Sequence, residues 1–408
     1  MIPMPTKNHM FRYVVTAVLV MIVGGLLGWY AYVQKQVATT LSDDTARGFG
    51  TAASFGSPAG STFTNAGTQS SATTQPAVGN TAPRLWSVVT TPVAGAGFAA
   101  SSTQLYFTER SSGNILLADP SRSSITRLTN TLFPKIYEAI FAWDGSVLLR
   151  SATDTGVVTT FAGTIATSSS EGPTELRGNY LPQRIEAVAI RSPQQIFFLV
   201  GAPQGGVAGV TSAWKGASQK PVFVSSLEQW RVWWLSDGQM YVAQKASDDV
   251  MGYAFTLKNG TLQHLVNAQG LSILPRAGST ALMYSTSAGS AVNLFARTSA
   301  STTPIRLIVR TIADKCVWAP GNDLIAYCAV PQTPPSRTGY MEEWYRGALH
   351  TSDAWWKIDV SAGTAQTLYT PDSGTSFDVE HPVIDESGSY VAFTNAADKS
   401  LWMLRITP

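Results

Sequence analysis

The sequence feature that most constrains the fold is a hairpin pattern at 314–331. An apolar run leads into a W-A-P segment at 318–320, a Gly-Asn pair follows at 321–322, and a second apolar run occupies 324–327. Pro, Gly and Asn between two β-prone runs are typical of a β-hairpin. The same pattern returns at 381–393, where a D-E-S-G segment forms the turn. We therefore predict an all-β fold built from repeated hairpins.

The hairpin recurs along the chain with a nearly constant period. Aligned on the position of Lys315, the units follow one another at intervals of 41–48 residues, with one longer interval of 66 residues before the last unit. This period is typical of β-propellers, in which each blade is a four-stranded sheet. We therefore predict a seven-bladed β-propeller, whose aligned positions are Gly95, Glu138, Glu186, Arg231, Ser272, Lys315 and His381.

One hairpin also resembles a known repeat family. The segment W-x-P-x-x-x-x-I-A-Y at 318–327 is similar to the W-S-P-D-G-K-x-I-A-F hairpin of WD40-like propeller repeats, as in TolB-type domains. This chain departs from the family pattern at 321–322, where Gly-Asn stands in place of the usual Asp-Gly. The resemblance implies a β-propeller that binds other proteins, and it implies no reaction.

The last repeat unit is too short for a complete blade. Residues 381–408 accommodate three strands, whereas 84–90 form a β-prone run before the first unit with no partner of their own. We predict that 84–90 supplies the outer strand of the last blade. This pairing would close the ring and leave no open sheet edge. The propeller domain would then cover 84–408.

The N-terminal segment has the pattern of a membrane anchor. Residues 1–12 carry Lys7, His9 and Arg12 and no acid, and 13–33 contain no charged side chain. About 20 apolar residues span a bilayer, and a basic flank favours the cytoplasmic side. The alternative is a cleaved signal peptide, whose apolar region is usually shorter. We predict a single-pass transmembrane helix in the plasma membrane, with a cytoplasmic N-terminus and an extracytoplasmic propeller.

Residues 34–83 differ in composition from both neighbouring segments. Ser, Thr, Gly and Ala dominate this stretch, and large apolar residues are few. Such a segment cannot bury enough apolar surface to offset its conformational entropy. We therefore predict a flexible linker between the transmembrane helix and the propeller.

The charge content excludes one class of partner, and the ligand pattern indicates no metal. Only 13% of the residues are charged and the net charge is +2, which argues against a nucleic-acid binder with a basic face. His264, His350 and His381 belong to separate repeat units, and no nearby Cys or His completes a zinc set with the cysteines. We predict neither a metal nor a cofactor.

The two cysteines, Cys316 and Cys328, flank the hairpin described first. If the turn places them opposite each other, a cross-strand disulfide can form in an oxidising compartment. A register shifted by one residue would put them on opposite faces of the sheet. They would then be two buried free thiols. The sequence leaves both alternatives open.

The longer interval between repeat units contains an insertion at 332–352. In WD40-like propellers the loop between the second and third strands opens on the face where the innermost strands begin, beside the central channel. Aromatic residues and Arg are enriched at binding hot spots. The alternative is a structural lid whose aromatic residues pack on the propeller. The candidate binding residues are Tyr340, Glu342, Glu343, Trp344, Tyr345 and Arg346.

Charged residues at the aligned positions form a second candidate site. They would surround the channel mouth, where they could bind a small polar ligand or an ion. The alternative is a set of solvated or mutually paired charges around a water-filled channel. The candidate residues are Glu138, Glu186, Arg231, Lys315 and His381.

The sequence contains no catalytic motif. It lacks the G-x-S-x-G nucleophile elbow of hydrolases. Together with the predicted anchor and the resemblance to WD40-like repeats, which implies protein binding, this absence leads us to predict a membrane-anchored protein-binding or scaffolding module of the cell envelope with no enzymatic activity. The alternative is a carbohydrate- or peptide-cleaving enzyme that uses paired carboxylates at the channel mouth, such as Glu138 and Glu186.

Overall fold

The computed structural model describes most of the predicted propeller. The described residues belong to the second of two units into which the chain divides, Gln75–Pro408. The predicted cytoplasmic segment 1–12, the predicted transmembrane helix 13–33 and nearly all of the predicted linker lie outside them. Within the described part of the chain, no helix has the length and apolar character needed to cross a bilayer. The described residues are 82–165, 173–193, 195–288, 291–299, 302–334 and 339–407.

The described residues form seven four-stranded antiparallel sheets, which are the blades of a β-propeller. The seven-bladed prediction is therefore confirmed. The first three blades are β2 (Val93–Phe98), β3 (Leu105–Glu109), β4 (Ile115–Asp119) and β5 (Ser124–Arg127); β6 (Ile136–Phe141), β7 (Val147–Ala152), β8 (Val158–Ile165) and β9 (Leu176–Tyr180); and β10 (Ile185–Ser192), β11 (Gln195–Gly201), β12 (Val207–Ala213) and β13 (Lys220–Ser225).

The remaining blades follow the same order, except that the last one uses a strand from the other end of the domain. They are β14 (Trp230–Trp234), β15 (Met240–Gln244), β16 (Met251–Lys258) and β17 (Thr261–Gln269); β18 (Ser272–Pro275), β19 (Leu282–Ala288), β20 (Ala291–Arg297) and β21 (Ile305–Arg306); β22 (Cys316–Trp318), β23 (Ile325–Pro331), β24 (Asp353–Asp359) and β25 (Thr364–Tyr369); and β26 (Val379–Ile384), β27 (Tyr390–Asn395), β28 (Leu401–Arg405) and β1 (Leu85–Val89).

The first strand of each blade lies nearest the centre of the ring. Neighbouring first strands contact each other, as β2 does with β6 and β10 does with β14. The approach of β2 to β6 is so close that a Cβ on Gly95 would clash with the carbonyl oxygen of Ala139. Only glycine fits such a position in a strand. The first strands therefore line the channel.

The hydrophobic core lies between the blades. One buried cluster joins Phe197 and Leu199 of the third blade to Trp230 and Val242 of the fourth. Both faces of most blades are covered in this way, so strands such as β7 and β11 are buried over most of their length. Continuous apolar strands are typical of sheets that are covered on both faces.

The last blade is completed by the first strand of the domain. In β1, Leu85 lies opposite Leu404 and Trp86 opposite Met403 of β28. Val88 is buried in a cluster that also contains Met403. The outer edge of β28 is thereby paired, and the ring of blades is closed.

The hairpin of the sixth blade carries a disulfide. Cys316 of β22 lies directly opposite Cys328 of β23, and the two sulfur atoms are bonded. Both residues are buried. The bond fastens the innermost strand of this blade to its neighbour, directly after a 3-10 helix (Ala313–Lys315) that contributes to the site described next.

Candidate functional site at the capped channel mouth

Strand direction places the insertion at the end of the channel where the first strands begin. β22 runs from this end to the turn at Gly321, and β23 returns to it and ends at Pro331. The insertion follows, and its base is closed by a hydrogen bond of 2.8 Å from the N–H of Gln332 to the carbonyl of Ser352. We call this end of the ring the mouth.

The insertion contains a short helix, α1 (Tyr340–Tyr345), whose inner side is buried. Tyr340, Met341 and Trp344 pack in one cluster with Val292 and Ile312. The sequence-based expectation placed Tyr340 and Trp344 in a binding surface. Both are buried and hold α1 on the propeller, as in the structural-lid alternative, and Trp344 also lines a cavity beside α1.

Polar contacts from the fourth blade also fix α1. The carboxylate of Asp248 accepts a hydrogen bond of 2.8 Å from the N–H of Met341. The hydroxyl of Ser247 donates to Glu342, which is half-buried. Glu343 is also half-buried, and its carbonyl accepts the N–H of Ala348 at 2.8 Å. The helix is therefore docked along its length.

A buried ionic cluster lies beneath α1. Lys315 is 0% exposed, and its ammonium donates to Asp353 at 2.6 Å, to Thr351 at 2.6 Å and to Asp378. Asp353 begins β24 and Asp378 precedes β26, so the cluster joins the sixth blade, the end of the insertion and the seventh blade. The expectation that Lys315 lies at the open mouth is thereby corrected. Its charge is satisfied by carboxylates supplied by other elements.

Asp378 receives hydrogen bonds from the insertion itself. The indole N–H of Trp344 donates to its two oxygens at 2.9 and 3.0 Å, and Nδ1 of His350 lies 3.0 Å from one of them. Burial alone would raise the pKa of Asp378. The charge of Lys315 and the hydrogen bonds from Lys315, Trp344 and His350 outweigh it, so the pKa is lowered. Asp378 is therefore an ionised anchor for the insertion.

A second polar cluster contains Arg231, the aligned residue of the fourth blade. Its Nη1 atom donates to Asp314 at 2.7 Å and to Ser272 and Tyr345 at 3.4 and 3.3 Å. The guanidinium carbon lies 5.1 Å from the ring centroid of Trp233 and 5.9 Å from that of Tyr345. Arg231 is thus flanked by two aromatic rings and fixed by one carboxylate.

The partners of Arg231 titrate far from neutral pH. Burial would raise the pKa of Asp314, but the charge of Arg231 and hydrogen bonds from Arg231, Ser272 and Tyr345 lower it. Desolvation of the Tyr345 hydroxyl, which contacts Asp314, and then the charge of Asp314 raise the pKa of Tyr345. At neutral pH this cluster therefore consists of an ionised Asp, an ionised Arg and a neutral Tyr.

Two adjoining cavities open at the mouth. Four of the five predicted mouth residues line one of them, of about 840 Å³: Glu138, Glu186, Arg231 and His381. The other cavity, of about 860 Å³, lies beside α1, and four candidate residues of the insertion line it: Glu342, Trp344, Tyr345 and Arg346. Lys315 lines neither. The structure thus brings together most of the two candidate sets, which the sequence treated separately.

Several residues of the mouth escaped sequence-based prediction. Asp314 carries one weak signal, because it directly precedes the aligned position Lys315. No sequence signal marks Asp378, Trp233, Lys245 or His350, because only the folding of the chain brings each of them to the mouth. Among the described residues, no group of His, Cys, Asp and Glu is arranged to hold a metal ion.

Comparisons with known proteins concern the fold. No family model and no curated protein sequence matches this chain. Among solved structures, a streptogramin B lyase is similar at 12% identity and a TM-score of 0.47, over 79% of this chain and 97% of that one. An oligogalacturonate lyase in complex with manganese is similar at 9% identity and a TM-score of 0.45, over 78% of this chain and 97% of that one. A chain of a mitotic checkpoint complex is similar at 11% identity and a TM-score of 0.45, over 89% of this chain and 100% of that one.

Proposed function

We propose that this chain is a membrane-anchored, extracytoplasmic propeller of the cell envelope that binds a protein partner at its capped mouth. The outward side of α1 carries this proposal. Tyr345 is 41% exposed there, and the neighbouring Arg346 is also exposed. Both line the larger cavity. Tyr and Arg are the residue types that most often dominate binding energy at protein interfaces.

The way in which α1 is fixed supports this proposal. The inner side of α1 is buried, and the indole N–H of Trp344 donates a hydrogen bond to Asp378. Tyr345 is further restrained by its hydrogen bond to Asp314. Side chains that are already ordered lose little entropy when a partner binds. The insertion is therefore both a lid and a support for the exposed residues.

The cellular location rests on two observations. The uncharged run at 13–33 has the length of a membrane-spanning helix, and the basic residues before it favour a cytoplasmic N-terminus. The disulfide between Cys316 and Cys328 agrees with an oxidising, extracytoplasmic compartment. Together they support a propeller displayed outside the cytoplasm.

The carboxyl groups at the mouth favour binding over hydrolysis. A glycosidase needs one carboxyl that keeps its proton near neutral pH. Glu138 is held in an ion pair by Arg150, which also donates to the carbonyls of Ile185 and Glu186. The pKa values of Asp314 and Asp378 are lowered, the opposite of what a general acid requires.

Site-specific photocrosslinking tests the binding surface. A photoreactive phenylalanine analogue replaces Arg346 at the mouth and, as a matched control, Trp143, which is 57% exposed in the turn at the opposite end of the second blade. In native membranes we expect a discrete partner band from position 346 and none from position 143. Equal labelling from both positions would refute a partner at the mouth.

Two point variants distinguish residues that contact the partner from residues that hold the insertion in place. Arg346→Ala should weaken partner capture by tenfold or more while amide exchange in the insertion stays unchanged, since no described residue is ion-paired with it. Trp344→Ala should speed amide exchange across 339–352, because it removes a buried ring and its hydrogen bonds to Asp378. Unchanged capture by the Arg346 variant would contradict the assignment of α1 as the contact surface.

A further inference from the structure

Four residues line both cavities at the mouth: Arg231, Trp233, Lys245 and His381. We call this set the junction. The two volumes, about 860 and 840 Å³, each lie within the range of ligand pockets. A segment that occupies both cavities must therefore pass over the junction, and the chemistry of these four side chains decides what it accepts.

Arg231 is the most strongly oriented side chain of the junction. Its contacts to Asp314, Ser272 and Tyr345 all use Nη1. Among the described residues, nothing is hydrogen-bonded to its Nη2 or Nε, and 31% of the side chain is exposed. The hydrogen bond to Asp314 fixes one end of the guanidinium, and the rings of Trp233 and Tyr345 lie within 5.1 and 5.9 Å of it. An unused pair of N–H donors in fixed geometry matches the two oxygens of a carboxylate.

His381 lies at an irregularity in the backbone of the strand β26. The pairing of β26 with β27 shifts register between Glu380 and Val383. His381 lies within this bulge with a φ of 50°. Bulges redirect side chains, and a residue other than glycine in the left-handed region is strained. The strained position brings an imidazole side chain to the junction, beside Arg231 and Lys245.

The charges around the junction leave cations available. Asp314 is paired with Arg231 at 2.7 Å, and Glu380 with Lys399 at 2.9 Å. Lys245 is exposed, and its ammonium donates to the neutral Gln229 at 2.8 Å. No carboxylate of the described chain pairs with it. An incoming anion therefore meets Lys245 and the free donors of Arg231.

We propose that the junction is a carboxylate-binding site and that the partner inserts an acidic peptide segment into it. This inference rests on the proposed function and specifies the partner's chemistry. One carboxylate lies against Nη2 and Nε of Arg231, within reach of Lys245, and His381 contributes from the other side. The flanking residues of the acidic segment occupy the two cavities.

Calorimetric titration of the full chain in detergent tests the site directly. The probes are a hexaglutamate peptide and a hexaglutamine peptide, both amidated at the C-terminus so that side-chain carboxylates are the only difference. A third probe, free glutarate, distinguishes a peptide site from a site for small dicarboxylates. We expect hexaglutamate to bind and the other two to bind at least tenfold more weakly.

Variants at the junction decide where the peptide binds. Arg231→Lys keeps a cation for Asp314 but loses the planar fork, and Lys245→Gln removes an exposed charge. Each should weaken hexaglutamate binding by tenfold or more, with unchanged melting temperature for the Lys245 variant. Lys258→Gln, an exposed charge at the end of β16 that lines neither cavity, is the matched control and should retain full affinity.

The outcomes separate this inference from the proposed function. Equal weakening by Lys258→Gln would mean general charge attraction, and no binding of hexaglutamate would mean that the junction is not a carboxylate site. Tighter binding of glutarate than of peptide would assign the site to a small molecule. Each of these overturns the inference. Crosslinking from position 346 that persists in Arg231→Lys would leave the partner at the mouth in place.

Discussion

Lys315 illustrates how a single residue can fasten parts of the chain that are distant in sequence. Its ammonium contacts Asp353 and Asp378, which lie 38 and 63 residues further along. All three side chains are almost fully buried. Removing one partner from such a cluster leaves uncompensated charge in the protein interior, which costs more than the loss of the contact itself.

Replacing Lys315 with Met should therefore destabilise the propeller strongly. We expect the free energy of unfolding to fall by about 3–5 kcal/mol, because Asp353 and Asp378 would remain buried without their cation. Urea unfolding at neutral pH measures this change. Lys258→Met alters an exposed lysine and should stay within about 0.5 kcal/mol of the wild type. Similar losses in both variants would contradict the role of the buried cluster.

The lowered pKa of Asp378 predicts acid sensitivity. Its pKa in the folded protein lies below the ordinary value of 3.8. The stabilisation that ionised Asp378 contributes to the fold is therefore complete above pH 3.8. It is lost as the pH falls through the lower pKa that Asp378 has in the folded protein. The free energy of unfolding should fall as the pH drops below about 4 towards the folded-state pKa, and less steeply in Asp378→Asn. Unfolding curves that fall equally in the two proteins would exclude this explanation.

The residue scale is also where sequence-based reasoning is least reliable. Lys315 occupies an aligned position whose counterparts Arg231 and His381 reach the cavities, so an exposed side chain was the reasonable expectation. What changes its environment is the insertion, which covers it and ends next to Asp353. Tyr345 and Trp344 are neighbours on one short helix, yet one is exposed and the other buried. Such differences depend on tertiary packing that no local pattern encodes.

At the scale of strands and turns, the sequence pattern predicted the structure better than it did for single residues. Each blade needs a turn between its first two strands, and residues such as Gly145, Gly238, Gly321 and Gly388 take positive φ values there. Turn chemistry and a regular period therefore predicted seven blades. The same reasoning left 84–90 without a partner, and the structure pairs Leu85–Val89 with β28.

Removing this strand should expose the edge of the last blade. We expect a chain that lacks 84–90 to form aggregates, because β28 would present unpaired backbone groups. Light scattering of the purified variant measures this. Deletion of 40–80, which lie outside the described residues, should leave both the melting temperature and the oligomeric state unchanged. Unfolding of this second variant would show that the propeller begins earlier than 84.

At the scale of the whole molecule, the proposed topology makes a direct prediction. If 13–33 is an anchor with a cytoplasmic N-terminus, the propeller is accessible from outside the cell. Protease added to intact, wall-stripped cells should cut within 34–83 and release a soluble propeller, since exposed polar linkers are preferred cleavage sites. A cytoplasmic marker protein must stay intact as the control. Full protection of the propeller would overturn the topology.

The pairing of β1 with β28 also determines when the domain can be completed during synthesis. β1 leaves the ribosome first among the strands of the domain, and β28 leaves last. Six blades can assemble from consecutive segments as they emerge, whereas β1 waits for its partner until β28 emerges. Contacts between the two ends of a chain form slowly, and unpaired strands are prone to aggregate in the meantime. The step that closes the ring is therefore the one at which a chaperone has most to protect.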